Sequence, residues 1–410
     1  MAKTGKFPVS RRDFIAGSSA LTAGTLGFPL IGGAQAKTVK VGIIHPVTGF
    51  VAFAGSQGRL GANLAVEDIN KAGGIKSMGG AKLEPLFGDS QSKVEVGVAE
   101  VEKMNEQGVA AYIGCYQSPV GIAASQAASK YGTPFLIDVG ASDLIVSRGL
   151  KNVFRLKPGF GACVDQGIAA LGALNKAAGG IAKSAVIVHE AGEFGTGTAK
   201  LLQGKLPSIG IEVKELIPNE NPTRNFDNIA LRIRSLAPEI VMMSNYQNEY
   251  VLLARTLHQQ KVNLAGMFSV LGGGFNYKFA KEQPEVSQYM MDTNHWFNPR
   301  SQKALALKKR VEADGKILFT FEVYLAYTTV ELLADALEKA GTADKEKLTA
   351  ALAASTFKAE MMPYGPTKFV NGQNEGGRAA VMQAFKGDIE VIAPEEFSST
   401  KAVFPKPKFT

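Results

Sequence analysis

The sequence predicts an α/β fold built from two successive, mostly parallel sheets with helices on both faces. Two observations carry this. From Lys37 onward, apolar runs of strand length alternate with segments of helical period. The alternation lapses after residue 158 and restarts at residue 184. Parallel strands need crossover connections, and helical crossovers bury such a sheet on both faces.

Taken in order, "TVKVGII" (38–44) reads as the first strand. "GRLGANLAVEDINKAGG" (58–74) follows as a helix, with Leu60, Leu64 and Ile69 on one side and Gly73-Gly74 at its end. "LEPLFGD" (83–89) is a strand and "VEVGVAEVEKMNEQG" (94–108) a helix. "VAAYIG" (109–114) is the next strand, then helix "SPVGIAASQAASKYG" (118–132) and strand "TPFLID" (133–138). In the second half, "SAVIVHE" (184–190), "IEVKELIP" (211–218), "EIVMMSNY" (239–246) and "LAGMFSV" (264–270) are strands. Helices "FGTGTAKLLQGKLPSIG" (194–210) and "QNEYVLLARTLHQQK" (247–261) lie between them. Segments 301–315 and 322–341 are helical, and "AAVMQAFKGDIEVIAP" (379–394) reads as a β-hairpin turned at Gly387-Asp388. This tail is too short for a third domain and is expected to return to both earlier units.

The N-terminus follows another pattern. Lys3, Lys6, Arg11 and Arg12 precede a Gly/Ala/Leu-rich stretch from Ile15 to Gly33, and Ala34-Gln35-Ala36 has the small-x-small form of a cleavage site. "SRRDFIAG" (10–17) resembles the twin-arginine export signal in its arginine pair and in Phe14. Residues 1–36 are therefore expected to be a signal peptide cleaved after Ala36, with the mature protein in the periplasm. Its apolar stretch is rich in glycine and contains Pro29, which suits a removable leader better than a permanent span. Cleavage lowers the net charge from +8 to +5 by removing four basic residues and Asp13. That charge is scattered, with none of the basic-aromatic striping that nucleic acid needs, so no nucleic-acid partner is expected. Cys115 and Cys163 are the two cysteines; an oxidising compartment permits a bridge without requiring one.

Motifs for chemistry are sparse. There is no GxxxxGK[ST], and "GEFGTGTAK" (192–200) lacks the dinucleotide spacing. The histidines at 45, 189, 258 and 295 are far apart, and neither HExxH nor CxxC occurs, so no metal or cofactor is expected. Ser118 sits at a strand-to-helix turn, but in "YQSPVG" rather than GxSxG. Pro119 suits the first helical position, with Ser118 as its N-cap. The free N–H groups of that first turn can hold an anionic head group without any base. A nucleophilic Cys115 would need a base partner, and the sequence points to none.

The strand ends remain: 45–55, 114–119, 138–143, 189–195, 244–250 and 269–274. Ligands of parallel α/β sheets bind at the carboxyl edge of the strands. Three of these ends belong to each unit, so a ligand between the two units is expected. The segments are rich in Ser, Gly, Tyr and Phe, which suits a small, partly apolar ligand held by hydrogen bonds and ring packing.

"VKVGIIHPVTGFVAFAG", "AVEDINKAGGI", "YIGCYQSPVGIAAS", "VFRLKPG" and "MPYGPTKFV", in that order after an export signal, resemble the periplasmic leucine/isoleucine/valine-binding proteins, the solute receptors of ABC importers. The likeness runs over essentially the whole mature chain. It implies two Rossmann-like lobes, three hinge crossings and a ligand cleft between the lobes, the type I periplasmic binding fold. The crossings are expected near Arg155–Pro158, Asn294–Phe297 and Pro363–Pro366. Lobe 1 would then hold 37–157 and 296–363, and lobe 2 would hold 158–295 and 364–410.

The resemblance also implies a site. Ser118 matches the serine that binds the ligand carboxylate, with Tyr116 and Gln117 in the same turn. Ala141 and Ser142 match the small and hydroxyl residues after the next strand. Phe53, Phe194 and Tyr246 match aromatics of the two lobes, and Tyr327, or else Tyr324, matches a tyrosine of the late helix. Leu271 stands where amino-acid receptors place an acidic residue against the ligand ammonium. Leaving a buried ammonium unpaired costs on the order of a few kcal/mol. Glu190, Glu193 or Glu249 could substitute; otherwise the ligand is an aromatic or other organic acid without an amine. The implied function is capture of a small carboxylate for a membrane permease and ATPase complex, by a monomer that performs no chemistry. An amino-acid receptor and a periplasmic hydrolase are the alternatives.

Overall fold

The computed structural model describes residues 38–313 and 319–409. The expected signal peptide, residues 1–36 with cleavage after Ala36, lies outside the described residues. Strands β1 (Thr38–His45), β2 (Lys82–Asp89), β3 (Ala111–Gly114), β4 (Phe135–Ile137) and β5 (Val153–Arg155) come first in the chain. Strands β6 (Ser184–Glu190), β7 (Glu212–Asn219), β8 (Ile240–Ser244), β9 (Gly266–Val270) and β10 (Met291–Asn294) follow. Strands β11 (Phe369–Val370), β12 (Gln373–Asn374), β13 (Ala380–Phe385) and β14 (Asp388–Ala393) lie in the tail.

They form two seven-stranded sheets, ordered β11-β12-β5-β4-β3-β1-β2 and β14-β13-β10-β9-β8-β6-β7. The first five strands of each sheet pair in parallel with the same winding. In such an order the chain reverses its direction of travel across the sheet between the first and third strands, and ligands settle at that point. In lobe 1 adjacent strand residues go to opposite faces: Ile43, Ile113, Leu136 and Phe154 join the main core, while Ile44, Tyr112, Phe135 and Val153 join a second core. Both faces are apolar, as a sheet between two helix layers requires.

The helix expected over 58–74 spans Ala52–Lys71. Glycine allows the early start. A Cβ on Gly55 would lie 2.0 Å from the Pro46 carbonyl oxygen, so the first turn folds directly against the end of β1 only without one. Gly61 does the same on another face: its absent Cβ would stand 2.0 Å from the Val323 oxygen, on the helix Phe321–Ala340.

The tail returns to both lobes, but not at the expected residues. β12 pairs with β5 through Gln373 and Arg155, and β11 pairs with β12. Residues 369–374 therefore belong to the first sheet, and the third crossing lies between Asn374 and Ala380 rather than near Pro363–Pro366. Two-residue strands carry no periodicity, so the sequence pattern could not mark them. The antiparallel hairpin β13–β14 then extends the second sheet.

Gly61→Ala is expected to lower stability by about 1–3 kcal/mol, because backbone must move to admit the methyl group. Urea unfolding checks this, and an unchanged midpoint would mean that the two helices do not meet as closely as described.

Candidate functional site

A cavity opens between the lobes at the carboxyl ends of the strands. Lobe 1 contributes Tyr116 and Ser118 after β3, and Val139 and Ala141 after β4. Lobe 2 contributes Phe194 after β6, Tyr246 after β8, and Leu271 and Gly273 after β9. Asn294, His295 and Phe321 complete the wall at the second crossing. The wall is mainly apolar and aromatic, as the walls of small-molecule sites are.

Ser118 is the first residue of the helix Ser118–Ser129, and Gln117, in extended conformation, is its N-cap. This corrects the expectation that Ser118 caps the helix. Its side chain has another task. The hydroxyl oxygen accepts from the backbone N–H of Ala141 at 3.3 Å and of Ser142 at 3.1 Å. An oxygen that accepts twice still has its hydrogen to donate. These two N–H donors are spent on the Ser118 oxygen and orient it, so the hydroxyl hydrogen is what remains to point at an anion, beside the positive dipole end of the helix.

Arg155 fixes the loop that supplies both N–H donors. The guanidinium is 1% exposed. It donates to the Ala141 and Ser142 carbonyls at 2.8 and 2.6 Å, to Asp143 Oδ1 at 2.8 Å and to Gln373 Oε1 at 2.7 Å. With their carbonyls held there, the N–H groups of Ala141 and Ser142 face Ser118.

The second lobe closes the wall with rings. Phe194 stacks on Tyr246 with centroids 5.0 Å apart, and Tyr246 meets Tyr116 of the first lobe at 5.8 Å. Hydrogen bonds join the two lobes beside these rings: Ser142 Oγ to Glu193 Oε1 at 2.7 Å, and Asn248 Nδ2 to the Phe50 carbonyl at 3.2 Å.

Six of the residues singled out in the sequence line this cavity: Tyr116, Ser118, Ala141, Phe194, Tyr246 and Leu271. Four stand outside its wall. Phe53 lies one residue into the helix that begins at Ala52, and Phe50 meets the Tyr246 ring instead, at 5.9 Å. The Gln117 side chain is buried and donates to the Ser92 carbonyl. Ser142 is turned to Glu193. Tyr327 donates to Asp68 Oδ2 at 2.8 Å on the face toward the helix Ala52–Lys71, and Tyr324 donates to the His295 carbonyl at 3.0 Å. Phe321, at the start of that late helix, is the aromatic in the wall. Val139 and Gly273 lie in the expected strand-end segments, and Asn294 and His295 lie at the expected second crossing, though none of the four was named as a site residue. A histidine at a strand end was the one visible signal among them.

The acidic substitutes for an ammonium partner are engaged elsewhere. Glu190 accepts from the N–H groups of Gly192 and Gly195 and from Asn221 Nδ2. Glu249 accepts from the Thr223 N–H, and Glu193 from Ser142. Burial raises the carboxyl pKa of Glu190 and of Glu249.

Neither cysteine is paired. Burial pushes the Cys115 thiol well above its ordinary range and the Cys163 thiol up to about 12, whereas a reactive cysteine needs a lowered value. Ser118 makes no hydrogen bond to an imidazole among the described residues.

Comparison with known proteins fits this geometry. The family model for "periplasmic binding protein" matches residues 38–388. The Leu/Ile/Val-binding protein homolog 3 of Brucella melitensis is 29% identical over 336 residues, covering 80% of this chain and 85% of that protein. Among solved structures, a branched-chain amino acid transporter substrate binding protein from Streptococcus pneumoniae in complex with isoleucine is similar at TM-score 0.75 and 21% identity, covering 87% of this chain and 100% of that one. A solute binding protein of an ABC transporter from R. palustris in complex with benzoate is similar at TM-score 0.75 and 21% identity, covering 89% and 99%. The chain belongs to the periplasmic binding protein family, with the type I fold of its leucine/isoleucine/valine-binding members.

Proposed function

We propose that the protein is the solute receptor of an ABC importer, exported to the periplasm, where it captures a small carboxylate with an aromatic or other apolar body and no α-amino group. The ligand carboxylate accepts from the Ser118 hydroxyl, which the N–H groups of Ala141 and Ser142 orient. Its body lies among Tyr116, Phe194, Tyr246 and Leu271. The lobes close on it, and the closed form delivers it to the permease and ATPase complex without chemical change. Signal cleavage after Ala36 and action as a monomer belong to the same reading.

The observation that carries it is the lining itself. An anion donor stands at Ser118, while Leu271, Val139 and aromatic rings make up most of the remaining wall and no acidic side chain lines it. Glu190, Glu193 and Glu249, the acids considered as ammonium partners, all have partners outside the cavity. An amino-acid receptor is the second reading, supported by the leucine/isoleucine/valine-binding relatives described above. A hydrolase would need an activated nucleophile. The buried, raised Cys115 thiol and the absence of a base on Ser118 among the described residues both speak against one.

Two measurements test this. In a thermal-shift screen, benzoate- and phenylpropanoid-type acids should raise the melting temperature; a ligand at 100 times its Kd adds about 2.7 kcal/mol. Stabilisation by leucine or valine alone would replace the organic-acid reading with the amino-acid one. By calorimetry, Ser118→Ala should weaken binding of the stabilising acid by about 10- to 100-fold, the loss of one charge-assisted hydrogen bond. Unchanged affinity would remove Ser118 from the site, and ester turnover abolished by the same substitution would turn the receptor into an enzyme.

A further inference from the structure

The cavity wall contains a polar side chain whose hydrogen-bonding capacity is unused. His295 lines the cavity, is 1% exposed, and neither ring nitrogen has a partner among the described residues. Its backbone is held on both sides. The N–H donates to Asn294 Oδ1 at 2.8 Å, and the carbonyl accepts from the Tyr324 hydroxyl at 3.0 Å. The ring is therefore anchored beside the cavity with both nitrogens unsatisfied, which native interiors rarely tolerate without a purpose. Burial, with the cationic neighbours Lys157 and Arg155, holds the imidazole well below its ordinary pKa. In its neutral form it offers one donor and one acceptor.

A second unused group lies close by. Glu322 is 1% exposed, and neither carboxylate oxygen has a partner among the described residues. The Thr320 hydroxyl lies near it and favours the charged carboxylate, but too weakly to offset burial. Glu322 follows Phe321, which lines the cavity, and precedes by two residues Tyr324, which holds the His295 carbonyl. Its charge is felt by Tyr116, which lines the cavity. Burial pushes its carboxyl up to about 7, so near neutral pH it both donates and accepts.

We propose that His295 and Glu322 hold a hydroxyl group on the body of the ligand, so that the substrate class is hydroxylated organic acids. This rests on the carboxylate reading above. A hydroxyl donates once and accepts, which matches an imidazole acceptor or donor facing a carboxyl group. An ammonium has donors alone and would enter the same positive field of Lys157 and Arg155 that disfavours a charge on His295. A second ligand carboxylate would face Glu322, and behind it Asp138, which already raises the Glu322 carboxyl.

The test is calorimetry on the full mature chain with matched acids: benzoate and its hydroxybenzoates, phenylacetate and its hydroxyphenylacetates, cinnamate and its hydroxycinnamates, and leucine. At least one hydroxylated acid should bind about tenfold or more tightly than its parent, the worth of one buried hydrogen bond or more. His295→Phe and, separately, Glu322→Leu should each lower the ratio of hydroxylated-acid to parent-acid affinity measured within that variant; melting without ligand shows that each variant folds. Equal binding of parent and hydroxylated acids overturns this inference and leaves the carboxylate reading standing. A preference that survives in both variants overturns the assignment to these residues. Binding of leucine with none of the acids, or of nothing in the panel, overturns both readings.

Discussion

The cleft depends on one buried cation. Arg155 ends the last parallel strand of the first sheet, and its guanidinium reaches two carbonyls, a carboxylate and a glutamine side chain. Those bonds do three things at once. They turn the loop 141–143 so that its N–H groups face Ser118. They bind the first crossing to the tail through Gln373. Through Asp143, which also accepts from the Gly161 N–H, they anchor the start of the first second-lobe helix. Desolvation lowers the pKa of Arg155, and the Asp143 charge offsets this. Lys157, two residues on, is also buried, and burial together with Arg155 holds it far below its ordinary pKa. Removing one partner of such a buried arrangement costs about 3–5 kcal/mol as a rule; here Asp143 is half exposed, which places the loss at the lower end.

The second lobe supplies contact area rather than charge. Phe194 and Tyr246 form a stacked plate, and Tyr116 and Phe50 of the first lobe come to meet it. Aromatic contacts of this kind add about 0.5–1.5 kcal/mol each beyond their buried area. The Ser142–Glu193 and Asn248–Phe50 hydrogen bonds join the same two surfaces. Lobes held together by a few such contacts can part at three crossings without unfolding, and a ligand that touches both lobes favours the closed arrangement by its differential affinity.

Much of this was legible in the sequence, for a physical reason. Parallel strands buried on both faces read as apolar runs, and the turns that end them must carry the polar chemistry, so "GCYQSP" and "FSVLGGG" marked the cleft directly. What escaped was register. The aromatic of the late helix is Phe321 rather than Tyr327, because the packing of that helix on Gly61 fixes which side faces the cleft. Phe50 rather than Phe53 meets Tyr246, because Gly55 lets the first helix begin at Ala52. Strands β11 and β12 are too short to show a period, which displaced the third crossing. His295 and Glu322 were invisible as functional groups, since only tertiary structure reveals that a buried polar atom lacks a partner.

The central claim is that the first lobe holds an anion at Ser118 while both lobes clasp its apolar body. A crystal structure of the protein grown with a stabilising acid tests this most directly. The ligand carboxylate should lie within hydrogen-bonding reach of Ser118 Oγ, with the body between Tyr116, Phe194 and Tyr246. A ligand bound with its carboxylate turned to the second lobe, or bound outside the cleft, would contradict it.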